Sequence, residues 1–153
     1  MPVVDFSIRP AASGDLPALL ALYRHLNPDD PELDPQVAND RFDRMLNQPG
    51  MTVLIGFADM VAAASVTLIV VPNLTRGAAS YALIENVVTD AGYRKRGYAH
   101  ALIRHAFEQA WQAGCYKVML LTGSQNPATL RFYRNCGFVQ DKTGFQIRRP
   151  IPR

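Results

Sequence analysis

Residues 84–99 combine the residue types and spacing that bind a phosphate group. The segment begins as a β-branched run, passes through the basic turn Arg94-Lys95-Arg96-Gly97 and continues into a stretch of helix-forming residues. The first turn of a helix has backbone N–H groups without an intrahelical partner, and these groups bind anions. Gly97 has no Cβ, so backbone there can approach a phosphate closely, and bulk at this position is expected to block binding. The segment therefore predicts a site for an anion such as a pyrophosphate.

The two familiar nucleotide-binding fingerprints are absent from the sequence. Neither Gly-x-Gly-x-x-Gly nor Gly-x-x-x-x-Gly-Lys-Ser/Thr occurs, which argues against dinucleotide or nucleoside triphosphate binding by those routes. The alternative for residues 94–97 is a basic, solvated turn without a ligand, because runs of charge are usually exposed. Other sequence features are needed to choose between an anion-binding turn and a solvated turn.

Composition predicts one soluble globular domain over residues 1–153. Hydrophobic residues make up 48% and charged residues 19% of the chain, as in ordinary compact proteins. The net charge is +3, but acidic residues are interspersed among the basic ones and no run of basic residues contains aromatic residues between them. We therefore expect no nucleic-acid partner. The N-terminus has no signal-peptide pattern and no apolar run is long enough to span a bilayer, which predicts a cytoplasmic protein without a membrane partner.

The cysteines and histidines show no pattern of a metal site. Cys115 and Cys136 lack Cys-x-x-Cys spacing and a nearby histidine pair, so neither zinc nor a disulfide framework is indicated. His25, His100 and His105 form no ligand or triad arrangement and are predicted to be surface or helix-packing residues. We expect no metal and buried structural thiols.

Hydrophobic periodicity predicts a mixed α/β domain in the order β-α-α-β-β-β-α-β-α-β-β, with about seven strands and about four helices. The predicted strands cover residues 3–9, 51–57, 61–71, 81–89 and 115–121, with two more within 138–148. The helices are predicted after N-caps at Ser13 and Asp34, over residues 98–113 and over residues 127–136. Residues 94–97 therefore join a strand to a helix, as an anion-binding turn requires.

Two motifs resemble the GNAT acetyltransferase superfamily. Arg94-x-x-Gly97-x-Ala99 is similar to the superfamily pattern Gln/Arg-x-x-Gly-x-Gly/Ala, with alanine in place of the commoner second glycine. Residues 126–138 are similar to its Asn-containing loop followed by a helix that bears Phe/Leu-Tyr and ends at Gly-Phe, although Thr129 stands where alanine is usual. The predicted element order matches the GNAT fold from end to end. Residues 84–88, 115–118 and 132–138 also resemble glucosamine-phosphate N-acetyltransferases.

The resemblance implies acetyl-CoA as the cosubstrate. Backbone groups of residues 87–89 would pair with the pantetheine arm as an added strand does, and an N–H there would polarise the thioester carbonyl. The turn and the first residues of the following helix would bind the pyrophosphate. The implied cofactor-binding residues on these two segments are Val87, Val88, Thr89, Arg94, Lys95, Arg96, Gly97, Tyr98 and Ala99.

The resemblance also implies roles for four other side chains. Tyr133 would be the acid that protonates the departing thiolate, and a packed core aromatic is its alternative. Glu85 is the candidate base, acting directly or through water, because burial in an apolar strand would raise the pKa of its carboxyl group toward a value useful for proton transfer. The alternative for Glu85 is a paired carboxylate with a structural role. Asn126 would bind the cofactor arm or cap a helix, and Arg134 would reach the CoA phosphates or be an ordinary surface arginine.

These residues imply an N-acetyltransferase in which a primary amine attacks acetyl-CoA directly in a ternary complex. A small molecule or a peptide would supply the amine, approaching from the side formed by the loop at residues 27–34 and the hairpin of the last two predicted strands. The four carboxylates of that loop would attract a cation, or would simply form a solvated acidic surface. A homodimer is common in the family. The alternative function is a non-catalytic module that binds or senses acetyl-CoA.

Overall fold

The computed structural model describes residues 4–150 of the chain. The chain divides into two compact units, Met1–Leu120 and Leu121–Arg153. A single domain over residues 1–153 stays a prediction. Position 3, where the first strand was predicted to begin, lies outside the described residues.

The first unit is built on a five-stranded mixed sheet in the order β1-β2-β3-β4-β5. Neighbouring strands are antiparallel except for β4 and β5, which are parallel. Asp59 and Met60 form the two-residue turn that joins β2 and β3 into an antiparallel hairpin, with positive φ angles of 47° and 71°. The strands are β1 Phe6–Pro10, β2 Met51–Ala58, β3 Val61–Val71, β4 Tyr81–Thr89 and β5 Val118–Met119.

Four helices belong to the first unit: α1 Leu16–Leu26, α2 Pro35–Leu46, α3 Thr75–Ala78 and α4 Tyr98–Gln112. Asp34 caps α2 as predicted, since its carboxylate accepts hydrogen bonds from the backbone N–H groups of Gln36 and Val37. The predicted cap at Ser13 is wrong. Residues Ser13–Asp15 form a 3₁₀ turn, and the Asp15 carboxylate accepts the Ala12 N–H at 2.7 Å while pairing with Arg9 at 2.6 Å.

Helices cover both faces of the sheet. Consecutive residues Leu54 and Ile55 of β2 are both fully buried, although successive side chains of a strand point to opposite faces. Both α1 and α4 pack against β3 and β4, and α4 also reaches β2. The apolar positions of α4 that face this core recur at helical spacing, at Leu102, Ile103, Ala106 and Ala110. The packing therefore holds the central strands rigidly on both sides.

The second unit contains α5, Pro127–Asn135, which ends before Gly137 at a φ of 107°. Residues 138–150 have no regular secondary structure, so the two strands predicted within 138–148 are wrong. A strand forms only where another strand's edge offers backbone partners. Without such pairing, the apolar side chains of Phe145 and Ile147 are 91% and 98% exposed despite their strand-like alternation.

The element count is five strands and five helices in residues 4–150, rather than about seven and four. The strand predicted over residues 115–121 is reduced to Val118–Met119. The added helix, α3, is one turn in which Arg76, Gly77 and Ala78 all have positive φ angles. The mixed α/β class is confirmed. No helix within residues 4–150 has the length and apolar character needed to cross a membrane.

Candidate functional site

An unpaired edge of β4 forms the first part of the candidate site. The parallel pairing between β4 and β5 covers Ala82 with Val118 and Leu83 with Met119, and it ends there. Residues 84–89 of β4 therefore have backbone groups on that side without a strand partner in the first unit. Such an edge can pair with an extended ligand by main-chain hydrogen bonds.

A β-bulge lies within this unpaired part of β4. Glu85 is opposite Thr67 on β3 and Val88 is opposite Ser65, so two β4 residues face one β3 residue. Asn86, the first of the two, has a φ of 52°. Bulges bend a strand and break the alternation of its side chains. Here the bend changes the direction of the β4 edge between Glu85 and Val88.

The basic turn at residues 94–97 forms the second part of the site, between β4 and α4. Gly97 has a φ of 82° and occupies the N-cap position of α4. Apart from its two chain neighbours, a Cβ added to Gly97 would meet no atom of residues 4–150 within 4 Å, so the space above this backbone is open. No side chain of the described residues caps the first turn of α4. The turn therefore has the exposed backbone N–H groups and the free space that a pyrophosphate needs, and it fits the predicted role.

Aromatic packing anchors the start of α4. Tyr98 is buried, and its ring stacks on that of Phe6 from β1 with the ring centroids 4.3 Å apart. Gly56 on β2 makes room for this pair, since a Cβ there would lie 2.6 Å from the Phe6 ring. The first turn of the helix is therefore fixed to the sheet, and Tyr98 contributes packing and its backbone N–H rather than an exposed side chain.

Three exposed cations surround the turn. Arg94 donates from Nε to the Thr89 carbonyl oxygen over a long 3.4 Å, and the Arg96 guanidinium lies 5.3 Å from the centre of the Tyr93 ring. Within residues 4–150, none of Arg94, Lys95 and Arg96 forms an ion pair with a carboxylate. Lys95 has a φ of 62°, which helps the chain reverse before Gly97. These side chains can move to anionic groups without breaking an existing ion pair.

His25, which was predicted to be a surface or helix-packing residue, supports the same turn. The His25 ring at the end of α1 lies with Nε2 3.4 Å from the Asp90 carboxylate, and Nδ1 accepts the Ala91 N–H at 3.4 Å. Asp90 also accepts the Gly92 N–H at 2.7 Å, which closes a 3₁₀ turn over Ala91–Tyr93. The signal in the sequence was Asp90 followed by Gly92, a pattern typical of a side chain that caps a turn. His25 therefore joins α1 to the approach of the basic turn.

Glu85 is exposed, contrary to the prediction of a buried carboxylate. Glu85 is in regular register with β3 and alternates with the buried residues Ala82 and Ile84, so it lies on the same face as the half-buried Leu83. Both Glu85 and Asn86 are exposed. An exposed carboxylate beside the unpaired edge can still exchange protons with solvent, and its role as a base stays a prediction.

The second unit contains Tyr133 on α5, between the rings of Phe132 and Phe138 at centroid distances of 5.2 and 6.1 Å. Burial raises the pKa of the Tyr133 phenol, and Cys136 adds to the rise. The phenol is therefore protonated over the whole neutral range. Proton donation requires that state, while the aromatic packing agrees with the alternative structural role.

Asn126 and Arg134 both have partners within the second unit. Asn126 Oδ1 accepts the Ala128 N–H at 3.0 Å, so the alternative of a helix cap is present at α5. Arg134 donates to Gln140 Oε1 at 2.9 Å and is exposed. Binding of the cosubstrate by either residue stays a prediction.

Two of the four carboxylates in the acidic loop at residues 27–34 have partners in the fold, and the other two form no ion pair within residues 4–150. Asp34 caps α2, and Glu32 lies 3.4 Å from Arg24. Asp29 and Asp30 are exposed and make no ion pair within the described part of the chain. Across residues 4–150, no group of three or more His, Cys, Asp or Glu side chains could hold a metal ion.

Comparison with known proteins identifies the family. Residues 19–138 match the model of the acetyltransferase (GNAT) family. A glucosamine 6-phosphate N-acetyltransferase of Trypanosoma brucei brucei is 31% identical over 89% of this chain and 90% of its own length. A second such enzyme, from Oryza sativa subsp. japonica, is 31% identical over 88% of this chain and 82% of its own length.

A solved structure supports the assignment. A putative acetyltransferase from Agrobacterium tumefaciens str. C58 is 56% identical, has a TM-score of 0.91, and is matched over 94% of this chain and 99% of that one. Acetyltransferases of this family use acetyl-CoA, which agrees with the open, basic turn before α4. The chain therefore belongs to the acetyltransferase (GNAT) family, and it is an acyltransferase.

Proposed function

We propose that the protein transfers an acetyl group from acetyl-CoA to a primary amine by direct attack within a ternary complex. One observation carries the proposal: the unpaired edge of β4 leads directly into the open turn at Gly97. The pantetheine arm of acetyl-CoA is extended and ends in a pyrophosphate, so it needs a free strand edge followed by an anion-binding turn. Residues 87–89 would pair with the arm, and the turn with the first residues of α4 would bind the phosphates.

The electrostatics of the turn favour this ligand. Each hydrogen bond from a backbone N–H to a charged oxygen contributes about 1.5–3 kcal/mol. The exposed side chains of Arg94, Lys95 and Arg96 add positive charge at the same place. Phosphate oxygens would also lie at the positive end of the α4 dipole. The turn therefore suits a multiply charged phosphate ligand better than a neutral one.

Residues of this chain would accept one proton from the amine and donate another to the departing thiolate. A protonated amine has no lone pair for attack, so Glu85 or a water beside it would accept a proton and pass it to solvent. The amine nitrogen then forms a bond to the carbonyl carbon, and the bond between carbon and sulfur breaks. Tyr133 would donate its proton to the departing thiolate, so that CoA leaves as the thiol. The second proton, which the nitrogen loses as the amide forms, would then return to the Tyr133 phenolate. A backbone N–H of residues 87–89 would stabilise the oxygen that becomes negative.

The first acceptors to test are amino sugars. The two curated relatives are named for acetylation of glucosamine 6-phosphate. The exposed carboxylates Asp29 and Asp30 would favour the cationic form of an amine as it approaches. A hexosamine with and without a phosphate group is therefore the most informative pair, and polyamines, amino acids and peptides complete the panel.

A thiol-release assay tests the proposal. Free CoA is measured with acetyl-CoA and each amine for the wild type, Glu85→Gln and Tyr133→Phe. We expect amine-dependent CoA release by the wild type, a loss of about 10²- to 10⁴-fold in kcat for Tyr133→Phe, and retained acetyl-CoA affinity in both variants. Tight binding of acetyl-CoA without release by any amine would instead support the non-catalytic binding or sensing module.

A further inference from the structure

Two cations and two aromatic rings lie together at the start of β4, and we call Arg76, Tyr81, Tyr116 and Lys117 the ring cluster. The Arg76 guanidinium lies 5.7 Å from the centre of the Tyr116 ring. The Lys117 ammonium lies 5.3 Å from the centre of the same ring and 5.8 Å from the centre of the Tyr81 ring. A cation at such a distance is attracted to the face of the ring. The rings therefore hold both charges in one place.

The backbone sets the positions of both rings. The Tyr116 N–H donates to the Ser80 carbonyl oxygen at 2.9 Å, and the Ala82 N–H donates to the Lys117 carbonyl oxygen at 3.0 Å. These bonds extend the parallel pairing of β4 with β5 back to the ring cluster. Tyr81 and Lys117 are half-buried, and Tyr116 is 39% exposed. The ring cluster is therefore attached to the sheet and open to solvent.

The two positive charges of the ring cluster have no negative partner in the part of the chain that the structure describes. Within residues 4–150, neither Arg76 nor Lys117 forms an ion pair or donates a side-chain hydrogen bond. Because the two charges lie 5.7 and 5.3 Å from one ring centre, at most about 11 Å separates them. Both side chains have long, flexible stems, so both charges can contact one ligand without breaking an existing ion pair.

A phosphomonoester has the charge that the ring cluster lacks. It carries about −1.5 to −2 charges at pH 7 and three strong acceptor oxygens, which match two cations. A single carboxylate has one charge and would leave one cation unmatched. A single strand of nucleic acid needs free ring faces for its bases, whereas Lys117 already lies over a face of Tyr81 and of Tyr116. The chemistry therefore favours a compact dianion.

The ring cluster is distant from the turn that is proposed to bind pyrophosphate. Tyr81 begins β4 and Thr89 ends it, and a strand of that length spans about 25 Å. The basic turn follows Thr89, so phosphates bound there lie at the opposite end of the strand from the ring cluster. An anion at the ring cluster is therefore a separate group from the pyrophosphate of acetyl-CoA.

We propose that the ring cluster is a second anion site, in which Arg76 and Lys117 bind a phosphomonoester and the Tyr116 ring holds both cations in place. The phosphate belongs either to the amine acceptor or to a separate small molecule. Tyr81 and Glu85 share one face of β4, so an acceptor beside Glu85 would lie on the face that carries the Tyr81 ring. With that source the inference rests on the proposed function, and the acceptor is a phosphorylated amine. With the other source the site is independent of catalysis.

Calorimetry with three sugars tests the site without requiring turnover. Glucosamine 6-phosphate and glucose 6-phosphate should both bind the wild type, and glucosamine should bind at least about 10-fold more weakly, as for a lost charge-assisted hydrogen bond. Lys117→Met should raise the Kd of both phosphates about 10-fold and leave the Kd of acetyl-CoA unchanged. The matched control Lys142→Met removes an exposed lysine of the second unit and should behave as the wild type.

Two substitutions of Tyr116 test the role of the ring. Tyr116→Phe keeps the ring and should change the Kd of glucose 6-phosphate by less than about threefold. Tyr116→Leu removes the face that attracts both cations and should raise that Kd about 5- to 10-fold. Equal effects of the two substitutions would contradict the role of the ring.

Kinetics distinguish the two sources of the phosphate. If the acceptor carries it, Lys117→Met raises the KM of glucosamine 6-phosphate about 10-fold and leaves the KM of glucosamine unchanged. If a separate molecule carries it, Lys117→Met changes neither KM, and saturating amine leaves the Kd of glucose 6-phosphate unchanged.

Three results would overturn the inference: no binding of either sugar phosphate by the wild type, equal losses in Lys117→Met and Lys142→Met, or binding of a single-stranded oligonucleotide in place of the monoesters. Binding of the sugar phosphates without amine-dependent release of CoA would refute only the proposed function.

Discussion

Replacing Gly97 by alanine separates binding of the pyrophosphate from stability of the fold. Gly97 has a φ of 82°, and a Cβ there would meet open space, so the added methyl group clashes with nothing in the free protein. The left-handed conformation costs an L-residue about 1–2 kcal/mol, and reduced freedom of the unfolded chain returns about 0.4–1 kcal/mol. The expected loss in the free energy of unfolding is therefore about 1 kcal/mol, which lowers Tm by about 2–4 °C.

The effect on acetyl-CoA is expected to be much larger. The methyl group would project into the space where backbone meets phosphate, and losing one charge-assisted hydrogen bond costs about 1.5–3 kcal/mol. That loss raises Kd about 10- to 100-fold, which isothermal titration calorimetry measures directly.

Gly114 provides the matched control, because it has a φ of 78° and equally open space but lies after the other end of α4. Gly114→Ala should lose similar stability and keep the wild-type Kd. Unchanged affinity in Gly97→Ala, or an equal loss in both variants, would refute the proposed phosphate site.

Four further predictions follow from individual contacts. Because burial raises the pKa of Tyr133, the acid role predicts a kcat that falls only above about pH 10, and Tyr133→Phe should lack this alkaline decline in the pH–rate profile. His25→Ala should raise the acetyl-CoA Kd by about 2- to 10-fold in calorimetry, since the turn before α4 loses a hydrogen bond. Gly56→Ala should cost about 1–3 kcal/mol in urea denaturation, because its Cβ would lie 2.6 Å from the Phe6 ring. The guanidinium bound to Asp15 lowers the pKa of that carboxyl, so its contribution to the free energy of unfolding is full above about pH 4 and is lost as the pH falls further, and Asp15→Asn should remove that part of the pH dependence.

Local signals in the sequence determined the parts of the protein that depend on neighbouring residues. The proline after Asp34 and the carboxylate itself set the start of α2, as predicted. Gly97, after a cluster of cations and before a helical stretch, predicted the turn that precedes α4. These features depend on capping, on backbone freedom and on the intrinsic preference of a short segment, so they can be read without knowing the fold.

Tertiary structure alone decided the features that depend on which strands pair. Glu85 was predicted to be buried because its strand is apolar, and it is exposed on the part of β4 beyond Leu83, where pairing with β5 has ended. The strand at residues 115–121 was predicted by its apolar run, and only Val118 and Met119 pair with β4, opposite Ala82 and Leu83. Strand pairing and burial are set by distant partners, so a residue pattern specifies what a segment can do but not which neighbour it meets.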